Sequence, residues 1–132
     1  MALAMVLLIL LLGAGMLHAT RQQLDATLSL VADERRWRME QHLALSALAW
    51  GARLTWPTQP GWHCQQQQQF GWRACVLQLD NGETLLRGSG LTDSLALWQW
   101  LTAEEGHWRP LAHGWLDFCP LADAARCRPD EA

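Results

Sequence analysis

The first seventeen residues, Met1 to Leu17, contain no charged and no polar side chain. A water-soluble run with helical periodicity, Arg21 to Leu54, follows with no breaker between them. A helix that is apolar in its first half and amphipathic in its second has one end in lipid and the other in a folded domain. The expected organisation is therefore a transmembrane half (residues 1–19), an amphipathic half (20–56) and a small head (57–132).

Seventeen to nineteen apolar residues lie near the lower limit for crossing about 30 Å of hydrocarbon. Leu3 to Leu12, with Leu7 and Leu8 at the centre, would form the anchor, and Gly13 and Gly15 would permit close helix approach. His18 would lie at the interface. The competing reading is a secretory signal cut after Ala19 or Gly15. It is disfavoured because nothing basic precedes the apolar run and the helical pattern continues past it.

Arg21, Arg35 and Arg36 follow the apolar run, which by the positive-inside rule would keep the remainder in the cytoplasm. The four cysteines point instead to an oxidising compartment. A short basic leader upstream of Met1 would reconcile the two, so a start earlier than Met1 is expected.

Leu24, Leu28 and Val31 step by four and three, one helical face expected to pack on other subunits. Leu43, Ala47, Trp50 and Leu54 repeat the step and are expected to lie on the head. Asp33 to His42, mostly charged, separates the two faces, with Glu34 and Arg38 spaced for a surface pair. Gly51 weakens the last turns, and Trp56-Pro57 ends the helix.

The head is a domain of fewer than about 80 residues, small enough that covalent staples matter. It carries five Arg against nine acids, which excludes the basic footprint of a nucleic-acid binder. Pro57, Pro60 and Gly61 read as an irregular link, and Gln65 to Gln69 as a polar loop tip. Cys75 to Asp80 and Glu83 to Arg87, joined by Asn81-Gly82, read as a hairpin. Gly88-Ser89-Gly90 reads as a loop. Leu95 to Leu101 reads as a strand with Trp98 and Trp100 on one face, although Thr92-Asp93 could cap a helix there. Glu104 to Gly106 is a turn, and His107 to Ala112 an edge strand marked by Pro110. Gly114 to Pro120 opens a tail of turns. The fold class is α+β: a long helix packed on a small antiparallel sheet of three or four strands. Trp98, Trp100, Trp108 and Trp115 are candidates for a partner surface, against the alternative that they fill the core.

Cys64, Cys75, Cys119 and Cys127 admit three pairings. Local pairing would close loops of about a dozen and about nine residues, worth roughly 2–3 kcal/mol each in a domain whose stability is about 5 kcal/mol. Zinc is the rival, but neither spacing has the close pairs of a structural site. Ser46, Ser89 and Ser94 lie in no nucleophile elbow. His107 and His113 have no partnered nucleophile, Asp117 reads as a turn residue, and Glu104-Glu105 as a solvated turn. The short GSG at Gly88 is no phosphate loop. No enzyme activity, metal or cofactor is expected.

An apolar N-terminal helix continuing into an amphipathic one, a small sheet and a cysteine-closed C-terminal loop resemble the type IV pilin and pseudopilin plan. SALAWGARLTWPTQPGWHC (Ser46–Cys64), LALW (Leu95–Trp98) and HGWLDFCPLADAARC (His113–Cys127) are similar to the YgdB family of enterobacterial prepilin-peptidase-dependent minor pilins. GW-x-DFCPL is the most specific part. The resemblance implies a disulfide at each place, Cys64 with Cys75 and Cys119 with Cys127. It implies an inner-membrane, single-pass protein with its head in the periplasm, partnered by other minor pilins and a major pilin. The chain departs from the plan in two respects. No basic leader ending in Gly precedes Met1, and no Glu or Asp occurs before Asp25, where major pilins carry a Glu near the fifth mature position. An uncharged helix cannot neutralise a neighbour's buried ammonium, so the second departure fits a tip or initiation subunit. A membrane-tethered or secreted periplasmic binding domain, with a ligand groove lined by Trp, is the alternative.

Overall fold

The computed structural model describes residues 1–130. Helix α1 runs from Ala2 to Gly51, and strands β1 (Gly61–Gln67), β2 (Trp72–Gln78), β3 (Thr84–Gly90), β4 (Ala96–Glu104) and β5 (His107–Leu116) follow, then a 3-10 turn at Ala124–Cys127. The chain forms two units, Met1–Arg36 and Trp37–Ala132. The first is helical throughout after Met1, and every side chain in it is exposed. It includes an apolar 18-residue window long enough to cross a membrane, none of it buried.

The second unit is an antiparallel meander in the order β1-β2-β3-β4-β5, packed on both faces. One face takes the last turns of α1. Ala44, Ala47, Leu48 and Gly51 are its buried residues, and they cluster with Ala74, Val76, Leu86, Leu97, Leu101 and Trp56. The expected face of Leu43, Ala47, Trp50 and Leu54 is borne out at Ala47 and, at its margin, at Trp50 and Leu54, which pack half-buried on this core, while Leu43 lies over Gly90. The centre of the contact is turned toward Ala44, Leu48 and Gly51, because the helix backbone comes close to the sheet there. A Cβ on Gly88 would meet the Ala44 carbonyl oxygen at 2.7 Å and the Leu48 nitrogen at 2.7 Å. Gly88-Ser89-Gly90 is accordingly no loop. It completes β3, every residue of which is buried.

α1 ends at Gly51, whose carbonyl accepts from the Leu54 amide at 3.2 Å and from the Trp56 indole at 2.8 Å. These bonds satisfy a group that a helix end otherwise leaves open. The other face of the sheet holds a second core, Leu77, Leu85 and Trp98, with Trp62, Trp100, Leu116, Cys119, Leu121 and Cys127 against it. The tail that covers it is held by the Trp62 indole donating to the Arg126 carbonyl at 2.9 Å.

The sheet has five strands where three or four are expected. β1 is the addition, and it takes Gln65 to Gln67 out of the expected loop tip by pairing them with Trp72 to Ala74. The Asp80-Asn81-Gly82 turn joins β2 to β3, with Gly82 at φ 86° and the Glu83 amide donating to Asn81 Oδ1 at 3.0 Å. Glu105 and Gly106, both at positive φ, form the two-residue β4–β5 turn. β5 is an edge strand, as Pro110 predicts, but it runs on to Leu116 past a bulge opposite Gln99 and Leu101. Leu95 to Leu101 is strand and not helix, with Asp93 in the loop before it at φ 57°.

Candidate interaction surfaces

The cysteines form two disulfides, Cys64–Cys75 across the β1–β2 register and Cys119–Cys127 within the tail. No described cysteine is free. The first crosslinks the edge strand to its neighbour, and the second closes the strap that covers Trp98. No group of three or more His, Cys, Asp or Glu among the described residues is placed to hold a metal ion.

Leu3, Leu7, Leu8, Gly13 and Gly15 all lie on the exposed surface of α1, as do Leu24, Leu28 and Val31. No side chain lies within 4 Å of a Cβ built on Gly13 or Gly15, so both present open backbone. The four tryptophans named as surface candidates separate. Trp98 is buried beneath the strap and stacks against the Arg87 guanidinium at 5.4 Å, so it is a core residue. Trp100 and Trp108 are half-buried, each packed on one of the two cores. Trp115 is exposed, on the edge strand, with Leu111 and Phe118 also exposed nearby in sequence.

Charge is concentrated where β2, β3 and the β3–β4 loop meet. Arg87 Nη1 lies 2.7 Å from Asp93 Oδ1, close enough for an ion pair although off the angle of a directed hydrogen bond. Arg73 reaches Asp93 at 3.7 Å and the tail's Asp130 at 2.7 Å. Burial pushes the Asp93 carboxyl up, but the contact with Arg87 and its charge, the Ser89 hydroxyl and the Arg73 charge outweigh it and hold it below the usual range. Thr92, beside Asp93, donates to Glu40 on α1 at 3.1 Å. This cluster fastens α1 at Glu40, the β3–β4 loop and the tail to the inner strands β2 and β3. Reading the sequence by motif misses it. The available signal was an arginine inside each of two neighbouring strands, Arg73 and Arg87.

Two clefts open beside the end of α1. One, of about 650 Å³, is lined by Arg53, Leu54, Trp56, His107 and Trp108 among others. The second, of about 280 Å³, is lined by Ser46, Ala49, Trp50, Arg53 and Trp72. Phe70 stacks on Trp72 at 4.7 Å, and Trp50 tilts against it at 6.2 Å. Neither Phe70 nor Trp72 stands out as a site residue in the sequence, because aromatic clusters assemble across strands.

Neither the curated proteins nor the solved structures contain a match to the chain. Residues 8–127 match a family described as a protein of unknown function (DUF2509), and the chain belongs to that family.

Proposed function

We propose that the chain is a minor pilin-like or pseudopilin-like subunit that helps to initiate assembly of a type IV pilus or type II secretion pseudopilus, at the tip. The observation that carries this reading is α1. Its first unit exposes apolar side chains from Leu3 to Val31, while its last turns are built into a disulfide-bonded sheet domain. A span-length apolar helix serves as an anchor and as a lateral packing surface for like helices. The two disulfides favour a periplasmic head.

In this reading the helices of several minor subunits bundle through Gly13, Gly15, Leu24, Leu28 and Val31, and the bundle primes addition of the major subunit. The stretch up to Asp25 carries no carboxylate to neutralise the ammonium of a subunit ahead, and a tip subunit has no subunit ahead of it, which favours the tip. The role is assembly without turnover.

Site-specific cross-linking from Leu24 and Leu28 in cells that assemble filaments tests the proposal, together with mass spectrometry of the mature N-terminus. Adducts with other minor subunits and a methylated N-terminus are expected. A cut near Ala19, leaving no apolar segment, would overturn it. Adducts only with major subunits along the shaft would overturn the tip position.

A further inference from the structure

The geometry points to β1 as a pairing edge, filled by a second copy of this chain that sets its own β1 antiparallel alongside. The inference rests on the sheet of the second unit and is independent of the assembly role proposed above.

The alternation of ladder bonds identifies the groups that face outward. Opposed residues in an antiparallel pair alternate between hydrogen-bonded pairs, with Cα atoms about 5.5 Å apart, and non-bonded pairs about 4.5 Å apart. Cys64 and Cys75 oppose each other with Cα atoms 4.0 Å apart, so they are a pair of the second kind. The β2–β3 turn agrees. The Leu79 amide donates to the Glu83 carbonyl at 2.9 Å, which turns the backbone groups of Leu79, Leu77 and Cys75 toward β3 and away from β1. The N–H and C=O groups of Trp62, Cys64 and Gln66 therefore point away from the sheet. None of them has a hydrogen-bond partner among the described residues. The linker and the tail lie against the two faces of β1 and leave this edge open: His63 Nε2 donates to the Gln59 carbonyl at 2.9 Å, and the Trp62 indole to the Arg126 carbonyl.

The two edges of the sheet are built differently. β5 carries the devices that block strand addition: Pro110 without an N–H, the charged Arg109, and an irregular stretch at residues 111–114 in which His113 is at φ 61°. β1 has no proline, no break in its register with β2, and no Asp, Glu, Lys or Arg. Its outward groups recur every second residue, about 6.8 Å apart, a spacing that another extended strand matches and a helix does not. Symmetry identifies that strand. A two-fold axis at Cys64 places Trp62 opposite Gln66 of the second copy and Cys64 opposite its own counterpart, so every outward group finds a partner. His63 then lies beside Gln65 of the second copy, and Gly61 beside Gln67 of the second copy. A contact of this symmetry brings each residue near its own counterpart, so a charge close to the axis would repel itself. Gln65, Gln66 and Gln67 are uncharged, and their amides both donate and accept, so the strand is complementary to itself.

The test is amide hydrogen exchange of the full, isotope-labelled chain in micelles across a concentration series, with its mass followed by analytical ultracentrifugation. Between about 10 μM and about 1 mM protein, exchange at the Trp62, Cys64 and Gln66 amides is expected to slow by at least about tenfold as a dimer forms. The His63, Gln65 and Gln67 amides, bonded to β2, are expected to be protected throughout. Gln66→Pro removes an outward N–H and no β1–β2 bond. It is expected to abolish the concentration dependence at Trp62 and Cys64 while His63 and Gln65 stay protected. Gln66→Lys keeps the N–H, adds a charge to the edge, and is expected to weaken the pairing severalfold. Fast exchange of the three outward amides at every concentration overturns the proposal, including in a dimer held through α1 alone. So does protection of these amides in a species that sediments as a monomer, or protection that survives both substitutions.

Discussion

Gly88 of β3 lies directly beneath Ala44 of α1: a Cβ at Gly88 would come within 2.7 Å of the Ala44 carbonyl oxygen. Backbone meets backbone at this point, so no rotamer change can relieve an added methyl group. Gly51 differs, because a Cβ there would meet the Ala74 Cβ at 2.8 Å and the Leu86 Cδ1 at 2.9 Å. The Leu86 tip can shift although the Ala74 Cβ is fixed to the β2 backbone, so the added methyl group is accommodated in part, and alanine regains up to about 1 kcal/mol of helix propensity at that position.

Gly88→Ala is therefore expected to cost about 3 kcal/mol, at the upper end for overpacking, and Gly51→Ala less. Urea unfolding of the full chain in micelles, followed by near-ultraviolet circular dichroism, ranks the two. Equal midpoints for both variants would refute the backbone-contact account.

That contact also explains which parts of the fold were legible. The turns at Asn81-Gly82 and Glu105-Gly106, the edge character marked by Pro110, and the long first helix are local signals, and they survive folding. The helix face on the sheet followed from apolar periodicity only in outline: Leu43, Trp50 and Leu54 pack at the margin of the contact, whereas close approach puts Ala44, Ala47, Leu48 and Gly51 at its centre. β1 escaped notice because Gln65 to Gln67 has no apolar alternation; its partner β2 and the Cys64–Cys75 bridge hold it in the sheet. β3 looked like a strand giving way to a loop because both of its faces are covered, so Arg87 and Ser89 sit under the tail while Gly88 and Gly90 sit under the helix. The Arg73–Arg87–Asp93 cluster joins two strands and a loop, a relation that spacing along the chain does not carry.

Asp93 makes the stability of the second unit depend on acid pH. Its folded carboxyl titrates below the usual value, whereas in the unfolded chain it titrates near 3.9. Above both values the folded state holds the full advantage of the Arg87 pair. As pH falls the unfolded chain takes up the proton first, so the advantage begins to shrink near pH 3.9 and is gone once the folded carboxyl is protonated too. Asp93→Asn keeps a residue that tolerates the positive φ at this site. Its deficit relative to the parent is expected to be constant above about pH 5 and to close on acidification. Thermal melts across that range test this. A deficit that persists below the folded pKa would mean that the side chain acts by shape and not by charge.

The two disulfides have separable effects. Cys119–Cys127 spans eight residues of a strap whose other tie is the Trp62–Arg126 hydrogen bond. Replacing both cysteines by Ala is expected to cost about 2–3 kcal/mol and to let solvent reach Trp98, detected as faster exchange of its indole N–H. Replacing Cys64 and Cys75 instead is expected to loosen β1 while leaving the Trp98 indole protected. Equal exposure of Trp98 in both double variants would contradict this division.

The exposed face of the first unit gives the last separation. Leu24 and Leu28 are each 58 % exposed and contribute nothing to either core of the second unit. The double variant Leu24→Ser/Leu28→Ser is thus expected to leave the unfolding midpoint of the second unit within about 0.5 kcal/mol of the parent. If these leucines pack on neighbouring subunits, the same variant should lower the yield of cross-linked minor-subunit complexes in the membrane severalfold. Leu8→Arg instead places a charge in the apolar half of α1, at about 2.5–3.5 kcal/mol, and should reduce the membrane-inserted fraction itself. The two defects are distinguishable, because a Leu24/Leu28 variant that fails to assemble still fractionates with the membrane. Loss of membrane association in that variant would show that residues 24–28 serve insertion and not packing.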